Sequence, residues 1–311
     1  MLPGPVAVID IGSNSIKILV ASRAEDGTLR EHLSHSLEAR ISTGLAQSAP
    51  ALSDAGMQRG VEAICSLLAA TAEHAPRATV LVATSAVRDA RNGGEFCTRV
   101  RAATGLPVRI LSGTEEANLI GRGLTSDPAL RGMRDFYVFD LGGGSLECLA
   151  FRDRAIAQAV SLPLGCVRLT EKFIRDPALP LAEADRAAVA SHAQATLAAS
   201  VFGFSLPAGA RVVGSGGTAA SARAILGARA GRSFEATDPL LAVSELEQML
   251  AWLGRLPLTE RRQIPGLPAP RADVFPVALI TLIAVAAAGS FPAYQNSLYN
   301  LRFGVADETL A

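Results

Sequence analysis

The sequence reads AVIDIGSNS over residues 7–15 and YVFDLGGGS over residues 137–145. Each copy is an apolar, strand-like run that includes an aspartate, continues through Gly-x-x-Ser and enters a second apolar run. A glycine-rich turn after a strand offers backbone N–H groups to oxyanions, while the aspartate can hold an accompanying cation. The repetition predicts two similar half-molecules that face each other across a phosphate-binding cleft.

Length and composition set the broad class of the protein. The chain has 311 residues, of which 49% are hydrophobic and 19% are charged, so we predict ordered globular structure in two domains. The formal net charge is zero, which argues against a surface that binds nucleic acid through its phosphates.

Targeting and membrane signals are weak in this sequence. The N-terminus enters a strand-like run almost at once, without a basic stretch followed by an apolar one, so we expect a cytoplasmic protein. The apolar stretch 274–289 is too short for a membrane span, so we expect no membrane association. We predict a buried helix there, which could form the core of a domain or the face of a homodimer.

We interpret the cysteines as reduced thiols in apolar positions, because they lack metal-site or redox spacing: Cys65, Cys97, Cys148 and Cys166.

Strand-like and helix-like segments alternate along the chain. This order is typical of an α/β fold with mostly parallel sheets covered by helices. We place the domain boundary near residues 125–134 and predict domains over 1–125 and 126–311, with the last helix free to pack back on the first domain. The proline-rich stretch 256–270 is predicted to be a surface loop.

Three carboxylates lie near the two glycine-rich turns. Asp10 and Asp140 come at the ends of the two strands, and Mg²⁺ commonly binds a few carboxylates together with water and phosphate oxygens. Capping of each turn by its own aspartate is the structural alternative. Glu147 is a charge inside an otherwise apolar run, and its sequence context leaves a cation ligand and a solvent-facing residue equally open.

Glycine clusters and one arginine supply candidate phosphate contacts. The turns at 12–15, 142–144 and 214–217 allow backbone amides to approach an oxyanion, because their glycines carry no Cβ. Arg88 follows a strand and a serine-containing turn. Its guanidinium could bind phosphate oxygens or, equally well, form a salt bridge with Asp89 or another nearby acid.

The pair Glu115 and Glu116 lies in the first turn of a predicted helix. Carboxylates in this position stabilise a helix through its dipole. Adjacent helical residues point in different directions, so at most one of the two can face the predicted cleft. A glutamate in the cleft could deprotonate an attacking water, and no histidine or thiol is patterned to compete for that role.

Several blocks of sequence occur in a characteristic order. They are DIGSNS (10–15), the stretch from Arg40 to Gly44, TSAVRDARN (84–92), SGTEEA (112–117), DLGGGSLE (140–147), SLPLGCVRLTE (161–171) and GSGGT (214–218). Together they resemble the exopolyphosphatase / guanosine pentaphosphate phosphohydrolase (Ppx/GppA) family of the actin-like ATPase superfamily. The resemblance runs over almost the full length.

The resemblance implies two ribonuclease-H-like domains with an active site in the cleft between them. It implies that Glu116 is the general base for water. Asp140 and Glu147, helped by Asp10, would bind Mg²⁺ or another divalent cation. The phosphates would be held by Arg88 and by residues of the turns, namely Ser13, Asn14, Ser15, Gly143, Gly144, Ser145, Gly216 and Gly217.

The sequence departs from the family pattern in three places. Leu146 stands where the family usually has Thr, and Lys17 replaces a commonly apolar residue. Longer members carry further C-terminal helical domains, one of them HD-like, whereas this sequence ends at Ala311. The resemblance therefore implies a short form, with weak processivity on long polyphosphate chains.

The expected activity is hydrolysis of the terminal phosphoanhydride bond of inorganic polyphosphate, with release of orthophosphate. A 5′-phosphohydrolase of guanosine pentaphosphate (pppGpp) is the enzymatic alternative, because the same site would serve both substrates. An alternative of a different class is a regulator that binds nucleotide or polyphosphate with negligible hydrolysis.

Overall fold

The computed structural model describes residues 4–42, 50–207 and 209–311. Gly44, which belongs to one of the family-like blocks, lies outside these described residues. Contacts divide the chain into two compact units, Met1–Gly132 with Tyr299–Ala311 as the first and Met133–Leu298 as the second. The placement of the predicted cleft between the two domains stays a prediction.

The first unit is an α/β domain built around the first sequence repeat. Its elements are β1 (Val6–Ile11), β2 (Ile16–Arg23), β3 (Leu29–Leu37), α1 (Asp54–Ala69), β4 (Ala78–Ala83), α2 (Ser85–Arg88), α3 (Gly93–Thr104), β5 (Val108–Ile110) and α4 (Gly113–Thr125). Within the described residues its strands form a five-stranded sheet in the order β3-β2-β1-β4-β5. Alternate residues of β1 and β2, such as Ile9 and Ile18, belong to one apolar core together with Ile64 of α1 and Phe96 of α3.

The second unit is built around the second repeat. Its elements are β6 (Phe136–Leu141), β7 (Leu146–Arg152), β8 (Ala155–Leu162), α5 (Cys166–Phe173), α6 (Glu183–Ala199), β9 (Arg211–Ser215), α7 (Gly216–Arg229), β10 (Leu240–Ala242), α8 (Val243–Leu253), α9 (Leu258–Arg261), α10 (Phe275–Gly289) and β11 (Ala293–Asn296). Over the part of the chain that the structure describes, its strands form a six-stranded sheet in the order β10-β11-β9-β6-β7-β8.

The two sheets share one topology. In each, the first strand pairs antiparallel with the second and the second with the third. On its other side the first strand pairs in parallel with β4 or β9, which in turn pairs in parallel with β5 or β11. The order β3-β2-β1-β4-β5 thus corresponds to β8-β7-β6-β9-β11, with β10 added at the edge. The predicted α/β class with two related domains is confirmed. The sheets are mixed rather than mostly parallel, because short turns can join only antiparallel neighbours.

The apolar stretch near the C-terminus forms α10, in the core of the second unit. Its buried residues include Phe275, Leu279 and Val285, so the helix belongs to the core of this unit. A homodimer stays a prediction. No helix among the described residues is long and apolar enough to cross a membrane.

The prediction of a surface loop over 256–270 is wrong in part. This stretch contains α9, and the Arg261 side chain is buried where it donates to the carbonyl oxygens of Pro177, Leu179 and Ala272. Ile264 is buried as well. Prolines limit regular secondary structure, and buried carbonyl groups then need hydrogen-bond donors from side chains. Arg261 supplies such donors to three carbonyls, so this stretch can be buried despite its prolines.

The last helix, α11 (Leu301–Leu310), packs on α4 and β1 in the first unit. Glycines allow the close approach of α11 to α4, because a Cβ at Gly304 would overlap the carbonyl oxygen of Leu119. Asp307 on α11 accepts from Arg23 at 2.7 Å and from Arg122 at 2.5 Å. Burial opposes the ionisation of Asp307, but these hydrogen bonds outweigh it and hold its pKa below the usual value.

The glycine contact predicts the effect of one methyl group. Gly304→Ala should lower the free energy of unfolding by about 2 kcal/mol, because the added Cβ forces α11 away from α4. Gly94→Ala is the matched control, since Gly94 lies exposed in α3 with open space around it and alanine favours a helix. Urea unfolding of both variants checks this. Equal stability of the two variants would contradict the close packing of the helices.

Candidate functional site

The first repeat forms a buried turn between β1 and β2. Ser13, Asn14 and Ser15 are all buried. The Asn14 side chain donates to Glu38 at 2.5 Å, and the hydroxyl oxygens of Ser13 and Ser85 lie 3.2 Å apart. In the described part of the chain, no group accepts a hydrogen bond from the backbone N–H of Asn14 or Ser15. These two N–H groups are therefore available to an anion.

The second repeat forms the corresponding turn between β6 and β7, and we call its residues 142–145 the phosphate loop. The N–H of Gly142 donates to the carbonyl of Ser145 at 3.0 Å, which closes the turn. Among the described residues, none accepts from the N–H groups of Gly143, Gly144 or Ser145. Three consecutive N–H groups of this kind are suited to bind phosphate oxygens.

Strand register decides where acidic residues meet. Asp140 on β6 lies directly opposite Glu147 on β7, so their Cβ atoms are neighbours on one face of the sheet. In the first unit, Asp10 lies opposite Lys17 instead. Two carboxylates therefore come together only at the second turn, and the role of Asp10 as a metal ligand stays a prediction.

The two carboxylates of the second unit are buried and held by hydroxyl groups. Asp140 is 8% exposed and Glu147 is 2% exposed. The Ser215 hydroxyl donates to Asp140 Oδ2 at 2.6 Å, and the Ser161 hydroxyl donates to Glu147 Oε1 at 2.8 Å. These bonds orient two hard oxygen donors side by side, and because adjacent carboxylates repel one another, the pair favours a bound cation.

The pair by itself does not complete a metal site. In the described ranges, no group of three or more His, Cys, Asp or Glu side chains is placed to hold a metal ion. Two carboxylates nevertheless fit Mg²⁺, which usually keeps several waters and binds substrate phosphates in addition to one or two protein carboxylates.

The glycines at the start of α7 lie beside Asp140. Gly216 has φ +83°, and a Cβ there would clash with the Asp140 carboxylate. Glycine is therefore required for both conformation and space. Leu146, which follows the phosphate loop, is fully buried in the apolar core of the second unit.

Arg271 is a candidate site residue that the sequence patterns did not single out. Its guanidinium packs against Gly217, where any Cβ would overlap it, and the residue is only 8% exposed. Its Nε has no hydrogen-bond partner, and among the described residues no carboxylate pairs with it. Burial raises the pKa of the Cys166 thiol, and the nearby Arg271 charge opposes that rise. Arg271 is thus a buried cation close to the first residues of both α5 and α7.

The sequence held little to identify Arg271. It is an arginine close before an apolar run, and the glycine that it contacts is far away along the chain. A buried cation without a protein anion is costly, so a bound anion would stabilise it.

The two glutamates at the start of α4, Glu115 and Glu116, differ in exposure and in hydrogen-bond partner. Glu115 is exposed and forms a capping box with Ser112, and hydrogen bonds from Ser112 hold the pKa of Glu115 below its usual value. Glu116 is 5% exposed and accepts from Arg88 Nη1 at 2.8 Å. The separation follows from helix geometry, because adjacent residues point in different directions.

Arg88 lies at the end of α2 and is engaged by protein groups. Besides Glu116, it donates to the carbonyl of Leu111 at 3.0 Å, and its Nε lies 3.5 Å from Asp89 Oδ1. Of the two alternatives for Arg88, the structure shows the salt bridge, and phosphate binding stays a prediction. A neighbouring guanidinium favours the charged form of a carboxylate, which is the form that a general base needs.

A model of the Ppx/GppA phosphatase family matches residues 5–311 of this chain. The chain belongs to the Ppx/GppA phosphatase family. The fold is the two-domain actin-like fold of solved Ppx/GppA structures. An exopolyphosphatase from Cytophaga hutchinsonii superposes with a TM-score of 0.88 at 23% identity, covering 98% of this chain and 97% of that one.

Other solved structures show the same fold. A Ppx/GppA family member from Aquifex aeolicus superposes with a TM-score of 0.77 at 23% identity, covering 99% of this chain and 97% of that one. A protein described as exopolyphosphatase-like has a TM-score of 0.88 at 23% identity, with coverage of 98% and 97%. The chain is therefore a phosphatase by family.

The partly buried ion pair of Arg88 and Glu116 predicts a stability effect. Arg88→Met should lower the free energy of unfolding by about 3 kcal/mol, because it leaves the Glu116 carboxylate buried without its cation. Adding Glu116→Gln should restore part of this loss, with a coupling of about 1–3 kcal/mol in a double-mutant cycle. Urea unfolding measures all variants.

The control for this cycle is an exposed ion pair in the same unit. Arg99 pairs with Glu95 on the surface of α3, and Arg99→Met should lower the free energy of unfolding far less than Arg88→Met does, because water screens an exposed pair. Additive losses for Arg88→Met and Glu116→Gln would contradict the coupling of the two side chains.

Proposed function

We propose that this protein is an exopolyphosphatase, which hydrolyses the terminal phosphoanhydride bond of inorganic polyphosphate and releases orthophosphate. The observation that carries the proposal is the buried pair Asp140 and Glu147 beside a loop with three available N–H groups. This combination suits a phosphate chain with its counter-cation. Family membership supports the reaction class, and the fold is shared with a protein described as an exopolyphosphatase.

Phosphate oxygens would be held by backbone N–H groups and by arginine. The second unit offers the phosphate loop, Gly216 and Gly217 at the start of α7, and the buried guanidinium of Arg271. The first unit offers the turn with Ser13, Asn14 and Ser15. Donors fixed by the fold stabilise charge on transferred phosphoryl groups without reorganisation during the reaction.

Asp140 and Glu147 would hold Mg²⁺ or another divalent cation, with Asp10 as a further candidate ligand. Bound in this way, the cation would neutralise phosphate charge and help to orient the terminal phosphoryl group. Hydrogen bonds from the hydroxyls of Ser215 and Ser161 would hold the two carboxylates in the orientation needed to bind the cation.

Glu116 is proposed as the general base. The water oxygen forms a bond to the terminal phosphorus while the bridging P–O bond breaks, and Glu116 accepts the proton of the water. The shortened polyphosphate leaves with the electron pair of the broken bond. Arg88 holds the Glu116 carboxylate at 2.8 Å, which favours its ionised form and fixes its direction.

The test is a substrate panel in the presence of Mg²⁺. Orthophosphate release is measured with polyphosphate, pppGpp and ATP, and we expect polyphosphate to have the highest kcat/KM. Preference for pppGpp would replace the proposal with the pentaphosphate hydrolase, and preference for ATP would indicate a nucleotide hydrolase. Tight binding of polyphosphate without phosphate release would favour a binding regulator.

The base assignment predicts the behaviour of Glu116→Gln. This variant keeps an oxygen acceptor for Arg88 but cannot take a proton, so turnover should fall about 10²- to 10⁴-fold while phosphate binding persists. Glu115→Gln is the matched control, because Glu115 is the exposed neighbour that caps the helix. Turnover near the wild-type value in Glu116→Gln would refute the assignment.

The metal assignment predicts a shift in the Mg²⁺ titration of activity. Asp140→Asn removes one of the two adjacent charges, and we expect at least a tenfold higher Mg²⁺ concentration for half-maximal activity. Asp238→Asn is the control, since Asp238 is an exposed aspartate of the same unit that caps a turn. An unchanged titration for Asp140→Asn would count against its role as a ligand.

A further inference from the structure

The direction of the phosphate loop is set by hydrogen bonds to its carbonyl groups. In a trans peptide, the C=O of one residue and the N–H of the next point in opposite directions. The N–H groups of Gly143, Gly144 and Ser145 therefore face the ligand only if the carbonyls of the three preceding residues face away from it. The groups that hydrogen-bond to those carbonyls therefore fix the direction of the N–H groups, and with it the affinity of the loop for phosphate.

Helix α5 supplies most of these hydrogen bonds. The N–H of Cys166 donates to the Gly142 carbonyl at 3.0 Å, and the N–H of Val167 donates to the Gly143 carbonyl at 2.9 Å. The first N–H groups of a helix have no partner within the helix, so they are available for this contact. The loop carbonyls thus point at the N-terminus of α5, and the loop N–H groups point away from it.

The backbone of α5 has no donor left for the third carbonyl. The N–H of Arg168 also donates to Gly143, at 3.2 Å, and the N–H of Leu169 returns to the carbonyl of Gly165 as the helix begins. The carbonyl of Gly144 is bound instead by the side chain of Arg168, whose Nε donates to it at 2.8 Å. The side chain of Arg168 therefore binds the one loop carbonyl of the three that the α5 backbone does not bind.

The first unit orients its own turn without an arginine side chain. There the N–H of Arg40 donates to the Asn14 carbonyl at 2.8 Å, and Ser42 donates to the Ser13 carbonyl through its N–H and its hydroxyl. The same arrangement of bound carbonyls and available N–H groups occurs in both units, built from different segments. Because both units have this arrangement, we infer that the hydrogen bonds to the turn carbonyls matter for the function of the turns.

We propose that Arg168 is a positioning residue for the phosphate loop, which acts through its Nε–H bond to the Gly144 carbonyl. This proposal rests on the proposed function, in which the loop binds the terminal phosphate of the substrate. Loss of the bond frees the Gly144–Ser145 peptide to rotate, so the Ser145 N–H no longer points at the ligand. Gly165 has a supporting role, because a Cβ there would overlap Gly143 and Gly144 and push the loop off α5.

Two substitutions separate the hydrogen bond from the charge. Glutamine carries an N–H donor on its Cδ, as arginine does, so Arg168→Gln keeps a donor for the Gly144 carbonyl while it removes the charge. Arg168→Met has a similar length and removes both. Arg175→Met is the control, since Arg175 is exposed just beyond α5.

The measurement is the affinity of the loop for inorganic phosphate, read from the amide NMR signals of Gly143, Gly144 and Ser145 in the full chain. We expect Arg168→Met to weaken binding about tenfold, with Arg168→Gln within about threefold of the wild type and Arg175→Met unchanged. In steady-state assays the loss in Arg168→Met should appear mainly as a raised KM.

Each other outcome has a definite meaning. Equal weakening in Arg168→Gln and Arg168→Met would overturn the proposal in favour of a purely electrostatic role, and unchanged binding in both would overturn it outright. Wild-type loop signals that do not respond to phosphate would also overturn it. If the loop binds phosphate as expected but no substrate of the panel is hydrolysed, the proposed function fails and the positioning role stands.

Arg168→Met could unfold the unit, and Gly165→Ala then tests the same idea without altering Arg168. We expect a similar loss of phosphate affinity from Gly165→Ala, because its Cβ displaces the loop from α5. Wild-type affinity in a folded Gly165→Ala protein would overturn the proposal.

Discussion

The register of the hairpin β6–β7 is the constraint on which the site of the second unit depends. Side chains alternate between the faces of a sheet, so a shift of one residue would move Asp140 and Glu147 to opposite faces. The turn at 142–145, closed by the bond from Gly142 to Ser145, fixes that register. The same short turn also presents the N–H groups proposed to hold phosphate. The proposed metal ligands and the proposed phosphate donors are therefore positioned together by one backbone conformation.

The two units show how one architecture carries two different turns. Their sheets share a topology and both turns bind their carbonyls to a neighbouring segment, which leaves N–H groups for an anion. The difference lies in one cross-strand position, where Lys17 in the first unit corresponds to Glu147 in the second. The lysine opposite Asp10 adds a positive charge to that cross-strand position, whereas the glutamate opposite Asp140 adds a second negative charge.

Three arginines make different contacts around these turns. Arg88 pairs with Glu116, Arg168 binds a loop carbonyl, and Arg271 packs on Gly217 with no carboxylate partner in the described residues. The planar guanidinium, with five donors, suits each of these contacts. Of these three, Arg271 is buried and has no carboxylate partner among the described residues, so we consider it the stronger candidate for a phosphate contact.

The sequence by itself determined the fold class, the duplication, the family and the segments that carry the acids and the glycine turns. These features are encoded locally, because strand runs, turns and helix starts depend on residues close together along the chain. Only the tertiary structure decided that Glu116 accepts a hydrogen bond from Arg88 and that Asp140 accepts one from the Ser215 hydroxyl. It also decided that Arg271 lies against Gly217. Each of these contacts joins residues that are distant in sequence, and strand pairing and helix packing bring them together. No local pattern records such a contact, so it appears only when the chain is folded.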